Sequence, residues 1–212
     1  MRVLSQAVNF NGPAGNIQGV LDTAETNLRS DYISVNCHPH SLHGGSMTNK
    51  VIHTVSRSFA GFGIPSLRFN FRGVGQSEGE YDEGVGEQSD LQAAVNWMQT
   101  QYPDAQLLLS GFSFGSFVSA LAAHQLAPAF LLSVAPPVMR FDFSTFQQPD
   151  CDWQVIMGTA DELVDYASVE TWVNSFATPP GLTPMNDASH FFHGRLVELR
   201  EIVENLVKPH VI

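Results

Sequence analysis

A chain of 212 residues that is 43% hydrophobic and 15% charged has the composition of a folded globular protein, and it fits a single domain spanning residues 1–212. Its formal net charge of −11 argues against a nucleic acid or a membrane surface as partner, because both carry negative charge. The two cysteines, Cys37 and Cys151, are too few for a disulfide framework and wrongly spaced for zinc, so we expect reduced, buried thiols in a cytoplasmic protein.

The N-terminal part of the chain predicts a β-hairpin followed by a buried strand. Residues Val3–Asn11 and Asn16–Asp22 alternate loosely around a Gly-Pro-Ala-Gly turn. Neither a basic start followed by an apolar run nor a stretch of about 18 apolar residues is present, so we expect no signal peptide and no transmembrane helix. A short strand at Tyr32–Cys37 leads into His38–Gly45, where a proline and two glycines predict irregular structure.

From residue 48 onward, patterns typical of helices and strands alternate at short intervals. The predicted strands are Ser66–Phe71, an apolar run from Leu107 to Gly111, Phe130–Ala135, Trp153–Met157 and Leu182–Met185. The predicted helices begin at Thr48 and then cover Glu87–Gln101, Ser116–Leu126, Ala167–Phe176 and Arg195–Val207. This alternation predicts an α/β fold with a mostly parallel sheet and helices on both faces.

The motif Gly111–Gly115, with Ser113 at its centre, has the Gly-x-Ser-x-Gly form of a nucleophile elbow. The pattern alone is weak, and a tight glycine turn with an exposed serine would produce it equally well. Its context is stronger, because an apolar strand precedes it and a helix of small residues follows it. We therefore interpret Ser113 as a candidate nucleophile.

A serine nucleophile needs a base and a group that orients the base, and two later loops supply them. Asp161 follows one predicted strand and His190 follows the last, so the order Ser, Asp, His matches that expected on this architecture. Asp165 is the rival of Asp161, but it lies deeper in the following helical segment. His193 is the rival of His190, although its position at the start of the last helix favours capping or packing.

Asp187 lies three residues before His190, and it either orients the imidazole or simply adds polarity to the loop.

A tetrahedral oxyanion needs two donors that are already in place. The backbone N–H of Phe114 is one candidate, and the loop after the Tyr32–Cys37 strand should supply the other. Pro39 has no N–H, so His40 is the first choice and Leu42 the second. The imidazoles of His38 and His40 could instead hold this loop in place.

A second glycine-rich segment, Gly73–Gly75, does not match a phosphate-binding loop, because neither the P-loop pattern nor Gly-x-Gly-x-x-Gly before a helix is present. The adjacent Arg72 either braces the loops around the site or contacts a substrate carboxylate. We expect neither a cofactor nor a metal.

Taken together, the chain resembles the α/β-hydrolase superfamily, and within it the small bacterial predicted esterases of the dienelactone-hydrolase-like kind. The likeness is carried by four motifs: His38-Pro39-His40 through Gly44-Gly45, Phe69 through Ser77, Gly111 through Gly115, and the pair formed by Gly158–Asp161 and Ser189-His190. The closest matches are Arg72–Gly79 and His190–Gly194. The resemblance implies a Ser-His-Asp triad that hydrolyses an ester-like bond without a cofactor.

The chain departs from many of these relatives in two places. Its oxyanion loop reads His-Pro-His where they have His-Gly-x, and only Pro136–Asp152 is present where they often insert a helical cap. A cap-less enzyme would select its substrate through loops, including Val138–Phe146 and Glu78–Gly86, and through any dimer partner.

The leading hypothesis is a serine hydrolase, by default a carboxylesterase, that acts on a small-molecule acyl substrate. A thioesterase, a peptidase or an acyltransferase would use the same residues. A non-catalytic hydrolase-fold binding protein is the alternative from another class. A homodimer is possible for a domain with an open sheet edge and an apolar final helix.

Overall fold

The computed structural model describes residues 2–211, which form one eight-stranded sheet and five α-helices. The strands are β1 (Val3–Gly12), β2 (Gly15–Ala24), β3 (Tyr32–Cys37), β4 (Ser66–Phe69), β5 (Gln106–Phe112), β6 (Phe130–Val134), β7 (Asp152–Gly158) and β8 (Gly181–Met185). The helices are α1 (Lys50–Gly61), α2 (Val85–Gln101), α3 (Phe114–Leu126), α4 (Tyr166–Asn174) and α5 (Leu196–Val211).

The strand order in the sheet is β1-β2-β4-β3-β5-β6-β7-β8. The hairpin β1–β2 joins the sheet antiparallel to β4, and all pairs from β4 to β8 are parallel. The predicted α/β fold with a mostly parallel sheet is therefore confirmed. Strand β5 lies at the centre, so the residue that follows it emerges in the middle of the carboxyl edge.

The helices cover both faces of the sheet, as predicted. Helix α1 packs against α5, and α2 packs against α3. Strands β4 and β6 are buried along their whole length, as expected for parallel strands with helices on either side. The connection from β6 to β7 contains no helix within the described residues, so no cap domain interrupts the sheet.

Most predicted elements differ from the structure by a few residues at their ends, and α5 extends to Val211 instead of Val207; three differences bear on the site. A 3₁₀-helix, Ser41–His43, lies in the segment predicted to be irregular, with the His40 side chain capping its first turn. Strand β4 ends at Phe69: Asn70 still donates to the Gln18 carbonyl on β2, but the Phe71 N–H donates to the His38 side chain instead of a neighbouring strand. Helix α3 begins directly after Ser113, two residues earlier than predicted.

A buried ion pair joins the hairpin to the parallel part of the sheet. Arg68 on β4 donates through Nε to Asp22 Oδ2 on β2 at 2.8 Å, and Ser56 on α1 donates to the same oxygen at 2.8 Å. Burial on its own would raise the pKa of Asp22, but the hydrogen bonds from Arg68, Ser5 and Ser56 outweigh it and lower that pKa. The Arg68 guanidinium also donates to the Met47 carbonyl, just before α1.

The two thiols are free, Cys37 being buried and Cys151 half-buried. None of the helices between residues 2 and 211 combines the length and the apolar character that a membrane span requires.

Candidate active site

The turn at Ser113 has the geometry of a sharp elbow between β5 and α3. Ser113 has φ +52° and ψ −122°, a conformation that a non-glycine residue rarely adopts. Its N–H donates to the Val134 carbonyl at 2.8 Å, which holds the strained residue in place. A Cβ atom at Gly115 would lie 2.2 Å from the Cys37 carbonyl oxygen, so only glycine allows β3 and the elbow to approach this closely.

Three residues predicted from the sequence meet at this elbow. His190 Nε2 lies 3.1 Å from Ser113 Oγ, and His190 Nδ1 lies 2.7 Å from Asp161 Oδ2. The carboxylate accepts the Nδ1 proton, which leaves Nε2 free to accept the serine hydroxyl. The side chains of Asp161 and His190 are buried, so water does not compete for these bonds.

The Asp161 carboxylate is held from its other side by the loop after β7. Its Oδ1 atom accepts the backbone N–H groups of Leu163 and Val164, both at 2.8 Å. In the loop after β8, the backbone N–H of His190 donates to Glu162 Oε2 at 3.1 Å. The two loops are therefore joined to each other as well as through the imidazole.

The rival residues lie elsewhere. Asp165 caps helix α4 by accepting the N–H of Ser168 at 2.9 Å. Asp187 is exposed, and its backbone N–H donates to Thr159. His193 is exposed and packs beside Phe191.

The imidazole of His38 holds the loop after β3 in place, which is the structural role that the sequence suggested for it. Its ring is fully buried, accepts the N–H of Phe71 at Nε2 at 3.0 Å and donates from Nδ1 to the Pro39 carbonyl at 2.6 Å. Burial lowers the pKa of His38 to about 4, so the ring is neutral at physiological pH.

The candidate oxyanion donors differ in their availability. Leu42 donates its N–H to His40 Nδ1 at 3.2 Å, so the second-choice donor is already engaged. Across residues 2–211, the N–H groups of His40 and Phe114 have no acceptor, and both residues line the same cavity as Ser113. The His40 ring is fixed at its other nitrogen by the Tyr81 hydroxyl, 3.2 Å from Nε2.

The cavity above Ser113 has a volume of about 740 Å³. Its lining residues are Pro39, His40, His43, Gly44, Gly45, Asn49, Ser113, Phe114, Pro137, Arg140, Phe141, Leu163, Val164, His190 and Phe191. The predicted role of the Val138–Phe146 loop agrees with this lining. No residue of the second predicted loop, Glu78–Gly86, lines the cavity, although Tyr81 contacts the lining residues His40 and Phe114, so its role in substrate selection stays a prediction.

Arg72 does not line the cavity. Its guanidinium donates to both oxygens of Asp90, at 3.0 Å from Nε and 2.8 Å from Nη2, and its backbone N–H donates to Asp90 as well. It braces the loop after β4, and the alternative of a substrate contact is not supported. Within the described chain, no group of three or more His, Cys, Asp or Glu side chains is placed to hold a metal ion.

A family model described as "Serine aminopeptidase, S33" matches residues 40–142, a segment that includes Ser113 and ends before Asp161 and His190.

Similar proteins are also known from individual sequences and structures. An α/β serine hydrolase without a lid from Xanthomonas campestris is 43% identical to this chain and superposes with a TM-score of 0.92. The match covers 97% of this chain and 94% of the Xanthomonas chain. An α/β serine hydrolase homologue from Coxiella burnetii is 40% identical, with coverage of 94% and 96% and a TM-score of 0.90. An uncharacterized protein of Rickettsia prowazekii is 33% identical over 208 residues, 93% of this chain and 87% of that protein.

Proposed function

The chain belongs to the lid-less α/β serine hydrolases, and from this premise we propose that it hydrolyses carboxylic esters through a triad of Ser113, His190 and Asp161. The observation that carries the proposal is the continuous pair of hydrogen bonds from Ser113 Oγ to His190 Nε2 and from His190 Nδ1 to Asp161 Oδ2. A serine is a weak nucleophile unless a base removes its proton, and this arrangement supplies one.

In the acylation half-reaction, Ser113 Oγ forms a bond to the acyl carbon while His190 Nε2 takes the hydroxyl proton. Asp161 fixes the tautomer of His190 and stabilises the imidazolium that forms. The tetrahedral intermediate collapses when its bond to the alcohol oxygen breaks, and His190 returns the proton to the departing alcohol. The acyl group then remains on Ser113 as an ester.

The negative charge of the intermediate is stabilised by the backbone N–H groups of Phe114 and His40. Both donors are fixed before substrate arrives, Phe114 by the elbow and His40 by the loop that its own imidazole caps. In deacylation, His190 takes a proton from water, the hydroxide attacks the acyl carbon, and the bond to Ser113 Oγ breaks. The acid is released and Ser113 regains its proton.

The lining of the cavity favours an ester over a peptide with a free amino terminus. An aminopeptidase must hold the ammonium group of its substrate, which requires a carboxylate or several acceptors close to the serine. Within the described chain, the cavity has no aspartate or glutamate in its lining. The description of the family model therefore does not decide the substrate of this chain.

The direct test is labelling with a fluorophosphonate probe, which reacts with an activated serine. We expect the wild-type chain to be labelled and the Ser113→Ala variant to lose the label. Ser89→Ala is the matched control, because Ser89 is exposed on α2 and outside the cavity, and this variant should keep the label. A wild-type chain that stays unlabelled while correctly folded would favour the non-catalytic alternative.

The type of acyl bond is tested separately, by comparing kcat/KM for an ester, a thioester and an aminoacyl amide that share one acyl group. We expect the ester to exceed the amide by far. A faster reaction with the thioester would reassign the chain to the thioesterases and keep the triad.

A further inference from the structure

One arginine lines the cavity that contains Ser113. Arg140 lies in the connection from β6 to β7, and its Nε donates to the Leu163 carbonyl at 3.2 Å. Leu163 belongs to the loop that holds Asp161, so the guanidinium is attached to the same loop as the proposed triad carboxylate. This single bond uses one of the five N–H donors of the guanidinium.

The charge of Arg140 is uncompensated. Five other arginines each form an ion pair with the carboxylate of an acidic side chain, to which they also donate a hydrogen bond. They are Arg2, Arg29, Arg68, Arg72 and Arg195. No carboxylate among residues 2–211 lies within ion-pair distance of Arg140. Arg57 is the other arginine among residues 2–211 without an ion-pair partner, but it lies in a different cavity, so Arg140 is distinguished by lining the cavity that contains Ser113.

The surroundings of Arg140 in the cavity are neutral or apolar. The other lining residues include the apolar side chains of Phe141, Leu163 and Phe191 and the polar side chains of His43 and Asn49. Arg140 is therefore the only side chain with a permanent charge among those that line the cavity of the described structure. Arg140 is exposed, so the apolar walls exclude only part of the competing water and the expected ion pair is correspondingly modest.

We propose that Arg140 binds a carboxylate carried by the substrate, so that the preferred esters are half-esters of dicarboxylic acids. This inference rests on the proposed esterase function and adds the substrate class. The free Nη donors of an arginine match the two oxygens of a carboxylate. A phosphate group fits less well, because it brings up to two negative charges to a site with one positive charge in a chain of net charge −11.

The test compares charged and neutral esters of equal shape. The charged substrates are monomethyl glutarate and monomethyl adipate, and the neutral ones are the methyl esters of glutaramic and adipamic acid, in which an amide replaces the carboxylate. Release of methanol gives kcat/KM for each. For the better chain length, we expect the charged ester to be preferred about fivefold at low salt, the effect of an ion pair of roughly 1 kcal/mol at a partly exposed site.

Single substitutions test whether Arg140 causes the preference for the charged ester. Arg140→Gln should bring the ratio of charged to neutral ester to about one, whereas Arg140→Lys should keep part of it because the charge remains. Arg57→Gln is the matched control, since Arg57 donates only to the Val3 carbonyl, lies in another cavity and should leave the ratio at its wild-type value. Because both esters are measured on one sample, the ratio does not depend on how much of a variant folds.

Ionic strength gives an independent readout. The wild-type ratio should fall towards one as salt is raised to about 1 M, where the Debye length is about 3 Å. The ratio of Arg140→Gln should stay constant.

The outcomes separate this inference from the function on which it rests. A wild-type chain that reacts with the fluorophosphonate but shows a ratio within twofold of one, or an unchanged ratio in Arg140→Gln, overturns the carboxylate site alone. A preference for the methyl ester of a phosphonocarboxylic acid over the half-esters overturns the choice of carboxylate. Absence of both labelling and ester turnover overturns the esterase proposal together with this site.

Discussion

His40 contributes to its loop with both its main chain and its side chain. Its Nδ1 accepts the Leu42 N–H, so this nitrogen carries no proton, and its Nε2–H faces the Tyr81 hydroxyl. A second proton on the ring would sit on Nδ1 and face the Leu42 N–H, and two donors cannot form a hydrogen bond with each other. The capped turn, and with it the orientation of the His40 N–H, therefore depends on a neutral imidazole.

This dependence predicts a pH effect. Burial and then the neighbouring His43 lower the pKa of His40, so the ring stays neutral down to a pH below its ordinary value and becomes charged as the pH falls further. Protonation of His40 disrupts the capped turn and with it the orientation of the His40 N–H. We therefore expect this protonation to contribute to the fall of kcat/KM in the acid limb of the wild-type pH–rate profile.

The variant His40→Asn keeps an acceptor for the Leu42 N–H and does not titrate. Its kcat/KM should fall less steeply at acid pH than that of the wild type, while His40→Ala should lower kcat at every pH because the cap is lost. Wild type and His40→Asn with identical acid limbs would contradict the role of the imidazole.

Asp161 provides a second prediction at this scale. Asp161→Asn should reduce kcat by about 10⁴-fold, because an amide stabilises the wrong tautomer of His190. Steady-state kinetics with a neutral ester measures the effect. Asp165→Asn is the control, since asparagine caps a helix as well as aspartate, and only the loss of Asp161 should reduce kcat.

Much of the site could be predicted at the level of residues, since strand ends and chain order pointed to Ser113, Asp161 and His190, which the structure brings together. Two features of the site could not be predicted from the sequence. The engagement of the Leu42 N–H depends on a short 3₁₀ turn that local sequence does not reveal. The proposed role of Arg140 emerges only from the fold, which places it in the lining of the cavity that contains Ser113.

At the scale of elements, the ion pair between β2 and β4 anchors the hairpin to the parallel sheet. Asp22 and Arg68 are both buried, and Ser56 brings α1 into the same network. Removing one partner leaves the other charged and buried without compensation, which is costly in a low-dielectric interior. The hairpin itself has few other polar connections to the helices.

We therefore predict that Asp22→Asn lowers the free energy of unfolding at neutral pH by about 3 kcal/mol. Because the folded-state pKa of Asp22 is lowered, its contribution is present above the unfolded value of about 3.9 and is lost as the pH falls through the folded value. Urea unfolding across acid pH should thus show a steeper loss in wild type than in the variant.

The exposed ion pair between Arg29 and Asp31 serves as the control for the buried pair of Asp22 and Arg68. Asp31 is about half exposed, so Asp31→Asn should cost less than about 1 kcal/mol. Equal losses in the two variants would rule out a special role for the buried pair.

The alternation of elements could be predicted because periodic apolar patterns are local. Their ends could not always be predicted, since β4 stops where the backbone N–H of Phe71 finds a partner in the loop after β3. This partner, His38, is distant in sequence. The start of α3 at Phe114 likewise follows from the strained backbone of Ser113.

At the scale of the whole molecule, the absence of a cap leaves the cavity open. Phe143 and Phe146, in the connection from β6 to β7, pack against Trp172 on α4. The connection is thus fixed at the side of the sheet, and only its first part reaches the cavity, at Pro137, Arg140 and Phe141. The single-domain organisation, the homodimer and the cytoplasmic location stay predictions.

An open cavity predicts simple saturation kinetics. The rate of ester hydrolysis should rise hyperbolically with substrate and continue smoothly through its solubility limit, because no element has to move aside at an interface. A pH-stat assay with a sparingly soluble ester measures this. A sudden increase in rate above the solubility limit would show that some segment closes the cavity in solution.

The positions of the three proposed catalytic residues along the chain also determine when activity first becomes possible during synthesis. Ser113 leaves the ribosome 77 residues before His190. At about 5–20 residues per second, the nucleophile waits roughly 4–15 s for its base. On the proposed mechanism, the half-made protein has synthesised its central strand and elbow but cannot attack the esters around it, and hydrolysis would begin only when the last loop has been translated and folded onto the sheet.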